Sequence, residues 1–466
     1  MNDRKSLVIF ISNENYLRNW IRAGAFEQLR ADYELHYVVA RDYWDPAMLK
    51  DFGIAEYTVV EQPAYRKFLL RRLLTVTMFK HTRKSRAFSI KMRFVRQKWA
   101  GFYKFLALPV VYEAFLLAVR AGLPTWAQFA QIVHRINPVA VIAPSLAADS
   151  FTIDMTYTAK KLGIKSMLLI NSWDNLVSKG VLPLPPDCVG VWGQQGINQA
   201  TRVQNVPRER VVALGVPRFD RYFRQDEAKP EIDIHEFNGI PKIKKIILYA
   251  ATSIPFDDIS AIEILDRFIS SDPAYSDYVI LFRPHPEMMK RSGERAFADC
   301  HFSHVHLDRQ VAAYYMSRFD KAVDSEKSYI NNAELDYYPA LLKAVVAVVC
   351  PPTTLGVEGA MNGAPCLMIC YGDGRNTWLS PDQMCQYESV EEVLAMPGVV
   401  ACHAESDLAA CFAQIIRLSQ DHDARHLLAE ATQYVVYRDA TPYAKRLAFL
   451  VQCLVNEQPL RLSPQD

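Results

Sequence analysis

The stretch that most constrains the fold runs from Val345 to Gly374, VVAVVCPPTTLGVEGAMNGAPCLMICYGDG. Its order predicts strand, tight turn, helix and strand. Val345 to Cys350 is a continuous apolar run of the kind buried on both faces of a parallel sheet. Pro351 and Pro352 stop it, and Thr353 or Thr354 is placed to cap a helix starting near Leu355. That helix ends at Asn362–Gly363, and Cys366 to Cys370 reads as the next buried strand. The turn sets hydroxyls and free backbone N–H groups where a strand ends and a helix begins, a place where such sheets bind phosphate. Glu358, one turn into the helix, is close enough to accept hydrogen bonds from a ribose beside that phosphate. An ordinary βαβ crossover with a capping Thr would read the same way, so the rest of the chain must decide.

Elsewhere, strands at Leu7–Ser12, Tyr33–Ala40, Tyr57–Val60, Val139–Ala143, Lys165–Ile170, Cys188–Trp192 and Val211–Leu214 alternate with helical segments. That is the sequence form of a parallel α/β sheet. The apolar periodicity lapses from Arg224 to Lys245, and a second α/β set opens at Ile246. The expected organisation is therefore a first domain over 1–224, a linker over 225–245, a second domain over 246–440, and a C-terminal helix and tail over 441–466. At 466 residues two cores are the default. The first apolar run is too short for a signal peptide, and no run of 18 apolar residues crosses a membrane. Nine cysteines without CxxC spacing read as buried free thiols of a reducing compartment.

Charge is unevenly spread. Between Gln62 and Tyr112 stand thirteen Lys or Arg and no Asp or Glu, which leaves 40 basic against 51 acidic residues elsewhere. This segment reads as an inserted basic helical stretch that docks on an anionic membrane surface. Leu69, Leu70, Leu73, Leu74, Met78 and Phe79 would form its apolar face, and Phe94, Trp99, Phe102, Tyr103 and Phe105 its interfacial anchors. A core helix with solvated charges is the plainer alternative. No HTH, RRM, KH or zinc-finger pattern accompanies the basic residues, so no nucleic-acid partner is expected.

Three further clusters carry chemistry. Arg283-Pro284-His285-Pro286 follows a buried strand, and its prolines forbid helix, so Arg283 and His285 form a fixed pair of donors for a diphosphate. His285 could equally satisfy a loop backbone. Trp173-Asp174-Asn175 also follows a strand, a plausible sugar platform with Asp174 as base; a turn with a capping Asp reads alike. Asn13-Glu14-Asn15 after the first strand offers Glu14 as a second base, with His285 as a third.

The chain resembles GT-B glycosyltransferases, locally bacterial surface-polysaccharide transferases and CDP-glycerol glycerophosphotransferases. The resemblance rests on Leu214-Gly215-Val216-Pro217-Arg218-Phe219-Asp220, the strand Ile247 to Thr252, Arg283 to Pro286, and the Thr353 to Glu358 helix entry. Around Thr353 the glycerophosphotransferases carry an Asp-Tyr-Ser-Ser type run where this chain has Pro-Pro-Thr-Thr. The resemblance implies two facing Rossmann-like domains, with Thr353 and Thr354 on the donor phosphates and Glu358 on the ribose. The implied activity moves a sugar from a nucleotide-sugar to a cell-surface polysaccharide or lipid-linked acceptor, at the inner face of the membrane. Polyol-phosphate transfer, sugar-nucleotide epimerisation and a non-catalytic scaffold are the alternatives. No metal-ligand spacing is present, and no cofactor beyond the donor substrate is expected.

Overall fold

A computed structural model describes residues 4–43, 45–94, 99–223, 232–285, 288, 297–317, 335–376 and 379–463. The chain forms two compact units, Met1–Asp220 with Tyr434–Asp466, and Arg221–Gln433.

The first unit holds a seven-stranded parallel sheet: β1 (Lys5–Ile11), β2 (Tyr33–Ala40), β3 (Tyr57–Val60), β4 (Ala140–Ser145), β5 (Lys165–Ile170), β6 (Cys188–Val191) and β7 (Val211–Ala213). Their order, β3-β2-β1-β4-β5-β6-β7, reverses direction between β1 and β4, where Leu7 pairs with Ala140. Strands such as Leu7–Ile11 are buried throughout because apolar layers cover both faces of the sheet.

Among the helices between β3 and β4 are α1 (Ala64–His81), α2 (Arg86–Phe94), α3 (Ala100–Leu106) and α4 (Pro109–Gly122). The helix α5 (Ser150–Lys161) follows β4. The four helices build a core of their own from Leu70, Leu73, Leu74, Phe79, Phe88 and Tyr103, closed by Ile153 and Tyr157 of α5. Much of the stripe expected to face lipid is thus a core face, because burying each Leu or Phe gains about 1.5–3 kcal/mol. Several cations are also bound into the fold. Arg66 and Asp154 form a buried pair joined by Gln62, whose amide donates to Asp154 at 2.8 Å. Lys80 meets Glu113 at 2.7 Å, and Lys67 meets Asp42.

The second unit holds a six-stranded parallel sheet ordered β10-β9-β8-β11-β12-β13. Its strands are β8 (Lys245–Ala250), β9 (Tyr278–Arg283), β10 (Val305–Leu307), β11 (Val345–Cys350), β12 (Cys366–Ile369) and β13 (Val399–Cys402). The reversal lies between β8 and β11, and α6 (Thr354–Met361) follows β11. The Val345–Gly374 stretch therefore folds as strand, turn, helix and strand. Gly356 and Gly359 seat the helix against β11, since a Cβ would stand 2.9 Å from Cys350 Sγ and 2.5 Å from Val348 Cγ2.

The expected linker is only partly described. Its described residues include the helix Ile234–Asn238, and Asn238 is bonded to Tyr337 and Arg309 inside the second unit. The C-terminal helix Tyr443–Val455 is no separate tail. Leu447, Leu450, Val451 and Leu454 join Leu7 and Ile9 in the core of the first unit. The Leu214–Asp220 run receives it. Asp220 Oδ2 accepts the Tyr443 amide at 2.5 Å, the Leu214 carbonyl accepts from Arg446 at 3.1 Å, and Gly215 sits at φ +82° against the Tyr437 carbonyl.

Candidate active site

In the first unit, the carboxyl ends of β1 and β4 meet at the reversal point, the crevice where open α/β sheets bind ligands. Asp149 opens α5 here, and its Oδ1 accepts the Thr152 amide at 2.7 Å as a helix cap. Burial of the carboxyl pushes its pKa up to about 6, against hydrogen bonds from Thr152 that pull it down. Ser12, just past the end of β1, approaches the same carboxylate and also pulls its pKa down. Yet neither Ser12 Oγ nor Asp149 Oδ2 completes a hydrogen bond among the described residues, and both are buried, as is the bare Asn15 Oδ1. Buried polar atoms without partners are rare in native structures, and here those of Ser12 and Asp149 stand together where a substrate hydroxyl could satisfy them.

The loop carrying Asp149 is held firmly. Tyr16 hydroxyl accepts the Leu146 amide at 2.8 Å, and the Val181 amide donates to the Ala147 carbonyl at 2.7 Å. Ala147 adopts φ +56°, an unfavourable region for a residue with a Cβ. Gly180 leaves room for this turn, since a Cβ there would stand 2.3 Å from the Leu146 carbonyl oxygen. Gly180→Ala should therefore displace the loop and cost about 1–3 kcal/mol, read as a lower midpoint in urea unfolding. A Gly180→Ala protein with wild-type stability would show that the loop gives way freely.

Asp174, the first candidate base, lies at the end of β5 in a different setting. Its Oδ1 accepts from Ser172 at 2.7 Å, its Oδ2 accepts from Ser178 at 2.8 Å, and Lys179 stands 3.5 Å away. Burial alone would raise its pKa, but Lys179, the two serines and Lys91 together bring it below the ordinary carboxylate range. A carboxylate so stabilised is a poor proton acceptor. Its arrangement suits anchoring the loop or holding a ligand hydroxyl. Lys91 from α2 reaches into this cluster, donating to the Ser178 carbonyl, and burial lowers its pKa to about 8. Trp173 is buried, so it offers no exposed ring as a sugar platform. Glu14 is half-buried in the turn after β1, where its carbonyl accepts the Leu17 amide.

In the second unit, the turn after β11 carries Thr353 and Thr354, both half-exposed at the amino end of α6. Thr353 is the cap residue, yet its side chain makes no capping hydrogen bond, contrary to the expectation from sequence. The turn is fixed instead by Thr252 after β8, whose hydroxyl donates to the Pro352 carbonyl at 3.1 Å. This leaves the Thr353 hydroxyl uncommitted to the helix, beside the positive end of its dipole.

Glu358 points inward. It is buried and accepts a hydrogen bond from the Tyr222 hydroxyl. Arg283 is also buried, and its guanidinium pairs with Asp308 while donating to Gln310 at 2.8 Å and Tyr338 at 2.9 Å. The expected phosphate clamp is thus engaged with protein partners. His285 ends the same strand, half-buried, with its carbonyl accepting the Met288 amide at 2.9 Å; Pro286 lies outside the described residues. Thr353, Thr354, Arg283 and His285 all stand at the carboxyl edge of one sheet, while Glu14, Asp149 and Asp174 share the corresponding edge of the other.

Comparison with solved structures gives matches along nearly the whole chain. CalG4, the calicheamicin glycosyltransferase, aligns with TM-score 0.52 and 11% identity over 97% of this chain and 99% of its own. S. aureus MnaA, solved with UDP, gives 0.54 and 12% over 97% of each chain. A UDP-N-acetylglucosamine 2-epimerase gives 0.50 and 12% over 98% of each. The chain has the GT-B fold. Residues 194–316 also match the CDP-glycerol:poly(glycerophosphate) glycerophosphotransferase family. That match takes in the Leu214–Asp220 run, β8, Arg283 and His285 of the GT-B chain, and ends before Thr353. No curated protein matches the sequence.

Sequence reasoning missed Asp149 and Ser12. The signal was present as an Asp-Ser pair directly before a helix and after the strand that neighbours β1. Only strand order, which places β4 beside β1, brings the two residues together, and that order is not visible in a linear pattern.

Proposed function

We propose that the protein is a glycosyltransferase that moves a sugar from a nucleotide-sugar donor to a cell-surface glycan or lipid-linked acceptor. The observation that carries this reading is the turn at Thr353 and Thr354, with its uncapped hydroxyl and a helix dipole at the sheet's reversal point. A neighbour of the same fold was solved with UDP, which supports a nucleoside diphosphate as the ligand. In this reading the amino end of α6 offsets charge on the departing nucleotide, so turnover should survive chelation of divalent metal. Asp149 takes the proton of the acceptor hydroxyl, because its pKa of about 6 lets it ionise near neutrality while retaining basicity. Ser12 orients that hydroxyl.

The family match over 194–316 favours a second reading, transfer of a polyol phosphate from a CDP-linked donor. One experiment separates the two. Incubation with UDP-, GDP-, CDP- and CMP-linked sugars and with CDP-glycerol, in the presence of a glycan acceptor, should release nucleotide from a sugar-linked donor. Release from CDP-glycerol alone would select the second reading. Interconversion of a UDP-sugar without nucleotide release would replace both with epimerisation.

A further inference from the structure

We infer that the elbow formed by α3 and α4 docks the protein on an anionic lipid surface, chiefly by inserting apolar side chains. Trp99, Phe102 and Phe105 are each more than half exposed, at a spacing of three that keeps them on one side of α3. On α4, Val110 is 83% and Leu117 67% exposed, and Ala114, Ala118 and Ala121 continue the same exposed stripe. The opposite stripe, Tyr112 and Leu116, is buried in the helical core. The helix is therefore apolar nearly all round, which marks a helix surrounded by protein or by lipid. Its charged residues are Glu113, spent on Lys80, and Arg120.

The patch is continuous with α1, where the Arg72 guanidinium lies between the rings of Phe68 at 4.8 Å and Tyr103 at 5.6 Å. Of thirteen exposed large hydrophobic residues among those described, nine fall between Tyr65 and Leu117. The two helices bend by 89°, and neither is long and apolar enough to cross a membrane alone. At 14 residues, α4 is about 21 Å long against a hydrocarbon core of about 30 Å. The elbow thus lies in one leaflet.

Charge selects the occupant. Arg71, Arg93 and Lys104 are exposed in this segment, which contains no Asp or Glu from 62 to 112. A second copy meeting this patch across a two-fold axis would set like charges against each other, whereas an anionic leaflet complements them. Docking by the elbow also explains why so many other cations of the segment can be bound into the fold without loss of the surface.

Flotation of the full chain with phosphatidylcholine vesicles, with and without phosphatidylglycerol, tests this. The wild type should float with the anionic vesicles, and about tenfold less with the neutral ones. The variant Val110→Asp/Leu117→Asp should lose about tenfold or more of that binding with an unchanged melting temperature, because both side chains already face water. Nucleotide release to a water-soluble acceptor should be the same in both proteins, so docking and transfer stand or fall separately. Equal flotation of wild type and variant would overturn the inference. So would a wild type that ignores anionic vesicles and forms a dimer that the variant splits.

Discussion

Replacing Asp149 with Asn should cut turnover by about a hundredfold or more while leaving nucleotide affinity intact. The same change should raise the melting temperature near pH 8. In the unfolded chain this carboxyl ionises near 3.8, whereas in the folded protein burial holds its proton to about 6. Between those values the unfolded state binds fewer protons, so this group's contribution to stability falls as pH rises and is least above 6. Asn has no charge to desolvate and still caps the helix. With the carboxyl buried and part of the residue still reached by water, the gain above pH 6 is about 1–2 kcal/mol, and it should vanish near pH 4. Wild-type turnover should climb with pH through about 6, and Asp149→Asn should lack that limb. Near wild-type turnover in this variant would remove Asp149 from the mechanism. Parallel loss of activity and stability would make it a helix cap only.

Arg283→Ala should destabilise the second unit by about 3–5 kcal/mol, because it leaves the buried Asp308 carboxylate without its cation. Asp308 would retain the Tyr337 hydroxyl at 2.7 Å and the Gln310 amide at 3.0 Å, which do not replace a guanidinium. Denaturant unfolding measures the loss. The sequence pattern alone gave this arginine a different role, a bidentate grip on the donor diphosphate. A variant that stays stable yet binds nucleotide about tenfold more weakly would restore that role.

The Val345–Gly374 stretch was legible because its strands are buried on both faces and its breakers are proline and glycine, signals that tertiary context rarely overrides. Residues whose roles depend on distant partners were not. Nothing in Arg283-Pro284-His285-Pro286 reveals that Asp308, 25 residues on, lies beside the arginine in the fold. The apolar stripe of α1 was visible, but not its covering by Tyr157 and Ile153 of α5. The place of Asp174 just past a strand end is legible in the sequence; the turn's conformation, which brings Ser172, Ser178 and Lys179 onto its carboxylate, is not. The C-terminal helix read as a tail because its partners, Leu214 and Asp220, are more than two hundred residues away.

If the protein works as proposed, the second unit binds a nucleoside diphosphate at the amino end of α6. Calorimetric titration of UDP and CDP into the wild type and Thr353→Val/Thr354→Val tests it most directly. The cap residue spends no side-chain hydrogen bond on the helix, so the variant should keep its melting temperature. At least one nucleotide should bind the wild type saturably and the variant about tenfold or more weakly, as loss of hydrogen bonds to a charged phosphate requires. Equal affinity in the two proteins, or no binding of either nucleotide to the wild type, would contradict it.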